Sequence, residues 1–151
     1  MNKTEYAQDC LKSGLSCSQA VLSAFIGQFD LDRDTALRIS SAFGGGMGGL
    51  GGVCGAVTGA FMVMGLKYGS AGQHDDEEKA RINRKAVEYM SRFRSHQGSI
   101  LCRDLLGADI ATPEGLETAI TKGLFDNICP VIIRSSVEIL EEIISDEKGE
   151  K

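Results

Sequence analysis

Five thiols carry most of the chemistry open to this chain: Cys10, Cys17, Cys54, Cys102 and Cys129. A cysteine thiolate is the nucleophile of disulfide exchange and a ligand for soft metals, and a lowered thiol pKa favours both uses. The first turn of a helix has unpaired N–H groups and a partial positive charge, which stabilise such an anion. Four of the five cysteines are predicted to sit at helix starts. Cys17 follows Ser16, which forms a capping-box pattern with Gln19. Cys54 opens a helix after a glycine run, Cys102 lies three residues after a capping Ser99, and Cys129 directly precedes Pro130, a residue suited to a first helical turn. Cys10 falls late in its helix and has no such support. If the four helix ends converge, they offer thiol pairs for redox chemistry or a four-sulfur site for an iron–sulfur cluster or zinc. No Cys-x-x-Cys pair occurs, so a shared site has to be assembled from distant segments by the whole fold.

The elements that would position these sulfurs are helices. No segment shows the sustained alternation of β-branched residues that marks a strand. Helices are expected over about Lys3 to Ser13, from Ser16 to about Phe29, from a capping Asp34 to about Ala42, and from about Val53 to Tyr68. They continue from about Asp75 to His96, from Ser99 to Leu106, from Thr112 and Pro113 to Gly123, and from Pro130 to about Ser145. Between the third and fourth, seven of the nine residues from Gly44 to Gly52 are glycine. Gly51, Gly55 and Gly59 then recur every fourth residue, which bares a strip of backbone for close helix approach. The architecture expected is all-α, a compact multi-helix bundle in which a glycine-rich loop leads into a central buried helix. It forms one domain over residues 1–151, with a frayed tail after about Asp146.

The glycine run satisfies G-x-G-x-x-G at Gly44, Gly46 and Gly49, yet no strand precedes it, and dinucleotide binding is set aside. A better use for such glycines is to let backbone pass close to a sulfur site and aim amides at its negative charge, with Gly52 and Gly55 the nearest candidates. His74 and His96 flank the long helix as solvated end residues, and the methionines read as core filling.

Together these residues resemble a known family. Gly14-Leu15-Ser16-Cys17-Ser18-Gln19-Ala20-Val21, Phe43-Gly44-Gly45-Gly46-Met47-Gly48-Gly49 and Cys54-Gly55-Ala56-Val57-Thr58-Gly59 look like the redox-active proteins named for their C-GCAxxG-C-C cysteine pattern. In that pattern one cysteine precedes the Cys-Gly-Ala-x-x-Gly motif and two follow it. They correspond here to Cys17, Cys54, Cys102 and Cys129, with Cys10 additional. The resemblance implies a redox role. A similar domain in split-Soret cytochromes, where the cysteines are associated with an iron–sulfur centre, implies a 2Fe-2S cluster ahead of zinc. This chain lacks the Cys-x-x-Cys-His haem attachment motif.

Composition narrows the partners. A length of 151 residues with 42% hydrophobic and 25% charged residues suits a folded globular chain rather than a disordered one. The net charge of −5 gives no electrostatic attraction to nucleic acid or anionic lipid. The stretch from Val53 to Leu66 is too short for a membrane span, which needs about 20 residues. The expectation is therefore a cytoplasmic redox protein. It would act as a 2Fe-2S electron carrier or by thiol–disulfide exchange without a cofactor, on a redox partner protein. The alternatives are a structural module with zinc held by the same four cysteines, and a helical interaction domain that could pair as a homodimer.

Overall fold

The computed structural model describes residues 1–73 and 75–146, and the fold is all-α. Eight α-helices lie among the described residues: α1 (Lys3–Lys12), α2 (Cys17–Phe25), α3 (Arg33–Ser40), α4 (Gly55–Tyr68), α5 (Asp76–Gln97), α6 (Cys102–Leu106), α7 (Pro113–Thr121) and α8 (Leu124–Asp146). Short 3-10 turns extend α2 and α3. His74 and the tail after Asp146 that was expected to fray lie outside the described residues.

Side-chain caps set most of the helix starts. Asn2 with Glu5 and Ser16 with Gln19 form reciprocal capping boxes on α1 and α2. Asp75 caps α5 and Thr112 caps α7, the latter with Pro113 in the first turn. Two expected caps move. Asp32, not Asp34, accepts the Thr35 amide at the start of α3, because its side chain precedes the first helical turn while Asp34 is already inside it. Leu101, not Ser99, precedes α6; the Ser99 hydroxyl instead accepts the Leu101 amide and donates to the Asp104 carboxylate.

Pro130 departs furthest from expectation, for it lies inside α8 rather than at its start. Gly123 adopts a left-handed φ of 65° after α7, and its carbonyl accepts the Asn127 amide, so the last helix is under way well before Pro130. Pro130 has no N–H to offer the Asp126 carbonyl, a penalty of about 3 kcal/mol in a helix interior. Burial of Ile132, Ile133, Val137, Leu140 and Ile143 along the same helix offsets it, at roughly 1.5–3 kcal/mol for each large side chain.

The central contact joins α2 and α4. A Cβ on Gly55 would stand 2.8 Å from the Ser18 amide nitrogen, and one on Gly59 would stand 2.8 Å from the Ser18 carbonyl oxygen. Only glycine lets the two backbones come this close. On its other sides α4 meets α5 and α8, and a buried polar link ties the three together. Ser136 Oγ donates to the Ala56 carbonyl at 2.8 Å and lies 2.7 Å from the Tyr89 hydroxyl. Such a link satisfies groups whose unpaired burial would cost about 1–3 kcal/mol each.

The buried apolar residues form two clusters. The larger is built around α1, α2, α4, α5 and α8 and includes Cys10 and Cys54. A smaller one joins Cys102, Leu106, Ile110, Ala119 and Cys129. Leu11, Cys17 and Ile128 pack against both.

Candidate functional site

Each of the four cysteines of interest is placed by a different local device. Cys17 is the first residue of α2, directly after the Ser16 cap. Cys54 occupies the N-cap position of α4, and its carbonyl accepts the Thr58 amide at 3.1 Å. Cys102 is the first residue of α6. Cys129 is not at a helix start; it sits in the second turn of α8 because that helix begins at Leu124.

A backbone clamp holds Cys54 and Cys102 side by side. The Cys54 amide donates to the Ile100 carbonyl at 2.8 Å, the Cys102 amide to the Gly52 carbonyl at 2.7 Å, and the Arg103 amide to the Gly51 carbonyl at 3.2 Å. Val53 and Leu101 form an isolated antiparallel bridge between the same segments. The glycine run shapes one arm of this clamp. Gly45, Gly46, Met47, Gly48, Gly49 and Gly51 all take positive φ, giving a left-handed coil that L side chains resist by about 1–2 kcal/mol per residue. Met47 is the one non-glycine residue with positive φ among the described residues.

These conformations correct the expectation that the glycine amides point at the sulfurs. The amides of Met47, Gly48, Gly49, Gly51 and Gly52 donate to carbonyls of residues 42–46, so the coil closes on itself. The Gly52 amide in particular donates to the Gly46 carbonyl at 2.9 Å, while Gly55 stands with Gly45 on the wall described next.

Cys17, Cys54, Cys102 and Cys129 line a single cavity of about 230 Å3 at the seam between the two clusters. Its remaining wall is mainly apolar, from Leu11, Leu15, Leu105, Leu106, Phe125 and Ile132. All five cysteines are free thiols. Cys10 is elsewhere, buried in α1 with its sulfur 3.7 Å from the Ser23 hydroxyl. His96 is exposed in the last turn of α5 and does not line the cavity.

The thiols are not electrostatically alike. The neighbouring Cys129 thiol is the largest influence on Cys17 and favours its protonated form, raising its pKa; burial and the other cavity cysteines act in the same direction. The influence of Cys17 in turn favours the Cys129 thiolate and lowers its pKa, against burial and the Asp126 charge. Cys54 is pushed up to about 12, chiefly by burial, although the Ala56 and Val57 amides pull the other way. Burial and Cys129 push Cys102 up to about 11.

The expected correlation between helix starts and acidic thiols is thus reversed. The three cysteines at helix starts have raised pKa values, and the one lowered value belongs to the cysteine in the second turn of α8. For Cys54 and Cys102 desolvation of a charged sulfur outweighs the helix-end field, and for Cys17 the influence of Cys129 does so first and desolvation second.

Asp126 escaped the sequence reading. It lies at the exposed rim of the cavity, one helical turn before Cys129, and is the charged side chain among the lining residues. With α8 begun at Leu124 instead of Pro130, the i, i+3 spacing would have put Asp126 and Cys129 on one face.

The chain matches, over residues 15–143, the family described as "putative redox-active protein (C_GCAxxG_C_C)". It belongs to that family. The match spans all four cavity cysteines and omits Cys10. No match to a curated protein or to a solved structure was found.

The donor set bears on what this C-GCAxxG-C-C protein could hold. Among the described residues no three His, Cys, Asp or Glu side chains are placed to share one metal ion, so a single-ion zinc site draws no support from the geometry. The four cysteines that line the cavity are soft thiol donors. Among the described residues, no helix is long and apolar enough to cross a membrane.

Proposed function

We propose that this protein is a dithiol redox protein in which Cys129 is the attacking sulfur and Cys17 the resolving one. The lining of one cavity by both Cys17 and Cys129 carries the reading, and their mutual influence, which raises the Cys17 pKa and lowers that of Cys129, makes Cys129 the more acidic member. In the reaction the Cys129 thiolate attacks one sulfur of a partner disulfide. That S–S bond breaks, one half leaves as a thiolate, and a mixed disulfide joins Cys129 to the other half. Cys17 then gives its proton to solvent and attacks the Cys129 sulfur, expelling the second half as a thiolate. Two electrons pass to the partner and a Cys17–Cys129 disulfide remains. Cys54 and Cys102, whose pKa values are raised, stay protonated at neutral pH and line the same cavity.

A second reading rests on the fact that all four cysteines line one cavity. Cys17, Cys54, Cys102 and Cys129 would then hold a 2Fe-2S cluster, which supplies one-electron transfer when bound. Within the chain, the Ala56 and Val57 amides would stabilise the Cys54 thiolate, and the apolar wall would limit water.

Anaerobic purification followed by thiol counting tests both. Colourless protein that loses two thiols on oxidation, with a Cys17–Cys129 disulfide found by peptide mass mapping, supports the dithiol. Brown protein carrying iron and acid-labile sulfide supports the cluster. Metal-free protein whose thiols resist a disulfide oxidant overturns both.

A further inference from the structure

We propose that Asp126 makes the cavity selective by charge, so that cationic or neutral small disulfides are reduced in preference to anionic ones. This rests on the dithiol reading and adds the class of its substrate. The cavity of about 230 Å3 has room for a small disulfide. Leu11, Leu15, Leu105 and Phe125 offer no hydrogen bonds to a polar or anionic group. Apart from the cysteines, the lining residue that carries charge is Asp126, on the same face of α8 as Cys129 and one turn nearer the solvent. A substrate sulfur reaching Cys129 therefore brings its substituents beside this carboxylate.

Charges about 4 Å apart interact by about a factor of five even in bulk water, and substituents of opposite sign are separated by the square of that, more than tenfold. The chain's net charge of −5 adds to the bias at long range.

The test uses three small disulfide probes on the reduced full-length chain: cystamine (cationic), bis(2-hydroxyethyl) disulfide (neutral) and 3,3′-dithiodipropionate (anionic). Oxidation of the protein is followed by thiol loss in wild type, Asp126→Asn and Asp126→Glu. For each probe the wild-type rate is divided by the Asp126→Asn rate, which removes leaving-group differences between probes. The quotient for cystamine should exceed that for dithiodipropionate by about tenfold, with Asp126→Glu close to wild type. At 1 M salt, where screening acts within about 3 Å, the difference should shrink to within about twofold.

A change in Cys129 acidity alone would shift all three probes by one common factor, and such a uniform shift would overturn the proposal. Equal quotients would do the same while leaving the dithiol reading intact. If none of the probes oxidises the wild-type protein, the dithiol reading itself fails.

Discussion

The two halves of the cavity are held in different ways. On one side Cys54 and Cys102 are fixed by main-chain hydrogen bonds between residues 51–54 and 100–103. On the other, Cys17 and Cys129 are brought together by side-chain packing, with Cys17 touching both apolar clusters and Cys129 belonging to the smaller one. The first pair is held by main-chain hydrogen bonds, and burial raises both of its pKa values. In the second, each thiol is the largest influence on the other, raising the Cys17 pKa and lowering that of Cys129. Main-chain hydrogen bonds fix one pair, while side-chain packing places the other.

The sharpest way to break this comparison is to exchange the roles of the pairs. Cys129→Ser should reduce disulfide exchange to the uncatalysed rate, since a serine hydroxyl is a far weaker nucleophile than a thiolate. Cys10→Ser should leave the rate within about twofold, because Cys10 lies outside the cavity. Cys54→Ser should preserve the exchange reaction if the dithiol operates, and should abolish iron binding if the cluster does. Thiol-loss kinetics and iron analysis on the same three variants check all of these outcomes.

Next in size is the packing that brings Cys17 toward Cys54. Gly59→Ala would press a methyl group against the Ser18 carbonyl, and overpacking of this kind costs about 1–3 kcal/mol. Gly65→Ala, on the same helix, meets nothing within 4 Å and should stabilise the protein by about 0.5–1 kcal/mol. Urea denaturation of the two variants should move in opposite directions; movement in the same direction would mean that the α2–α4 approach is not set by glycine.

A smaller effect concerns pH. Cys54 and Cys102 have folded pKa values of about 12 and about 11, above the unfolded thiol value of about 8.5. A raised folded pKa means that the native state holds its proton more tightly. Its stabilising contribution is therefore complete below about pH 8.5 and is lost as pH rises toward 11 and 12. The urea midpoint should fall across that interval, and less steeply in Cys54→Ala. Cys129 has the opposite sign: its lowered pKa is expected to keep it reactive to iodoacetamide at pH values where the other cavity thiols are inert, and Cys17→Ala should remove that advantage.

Helices and caps were largely legible from sequence because their signals are local. Ser16 with Gln19, Asp75, and Thr112 with Pro113 each act within one turn, and each caps the helix expected of it. Pro130 misled for the same reason. A proline is a strong local sign of a helix start, but here the tertiary burial of α8 overrides it. The spacing of Gly55 and Gly59 announced a close helix approach, although only the fold shows that Ser18 of α2 is the neighbour. Thiol acidity was least legible. It depends on burial and on which sulfur faces which, and residues 17 and 129 are far apart in the chain. Asp126 was hidden by the misplaced helix start.

The self-closed glycine coil has a consequence for redesign. Because its amides are spent internally and its carbonyls grip the segment around residue 102, the main chain at positions 54 and 102 does not rely on sulfur to keep its course. Imidazole or carboxylate groups could be installed there as new metal donors on an unchanged framework, turning one wall of the cavity into a place to try other chemistries.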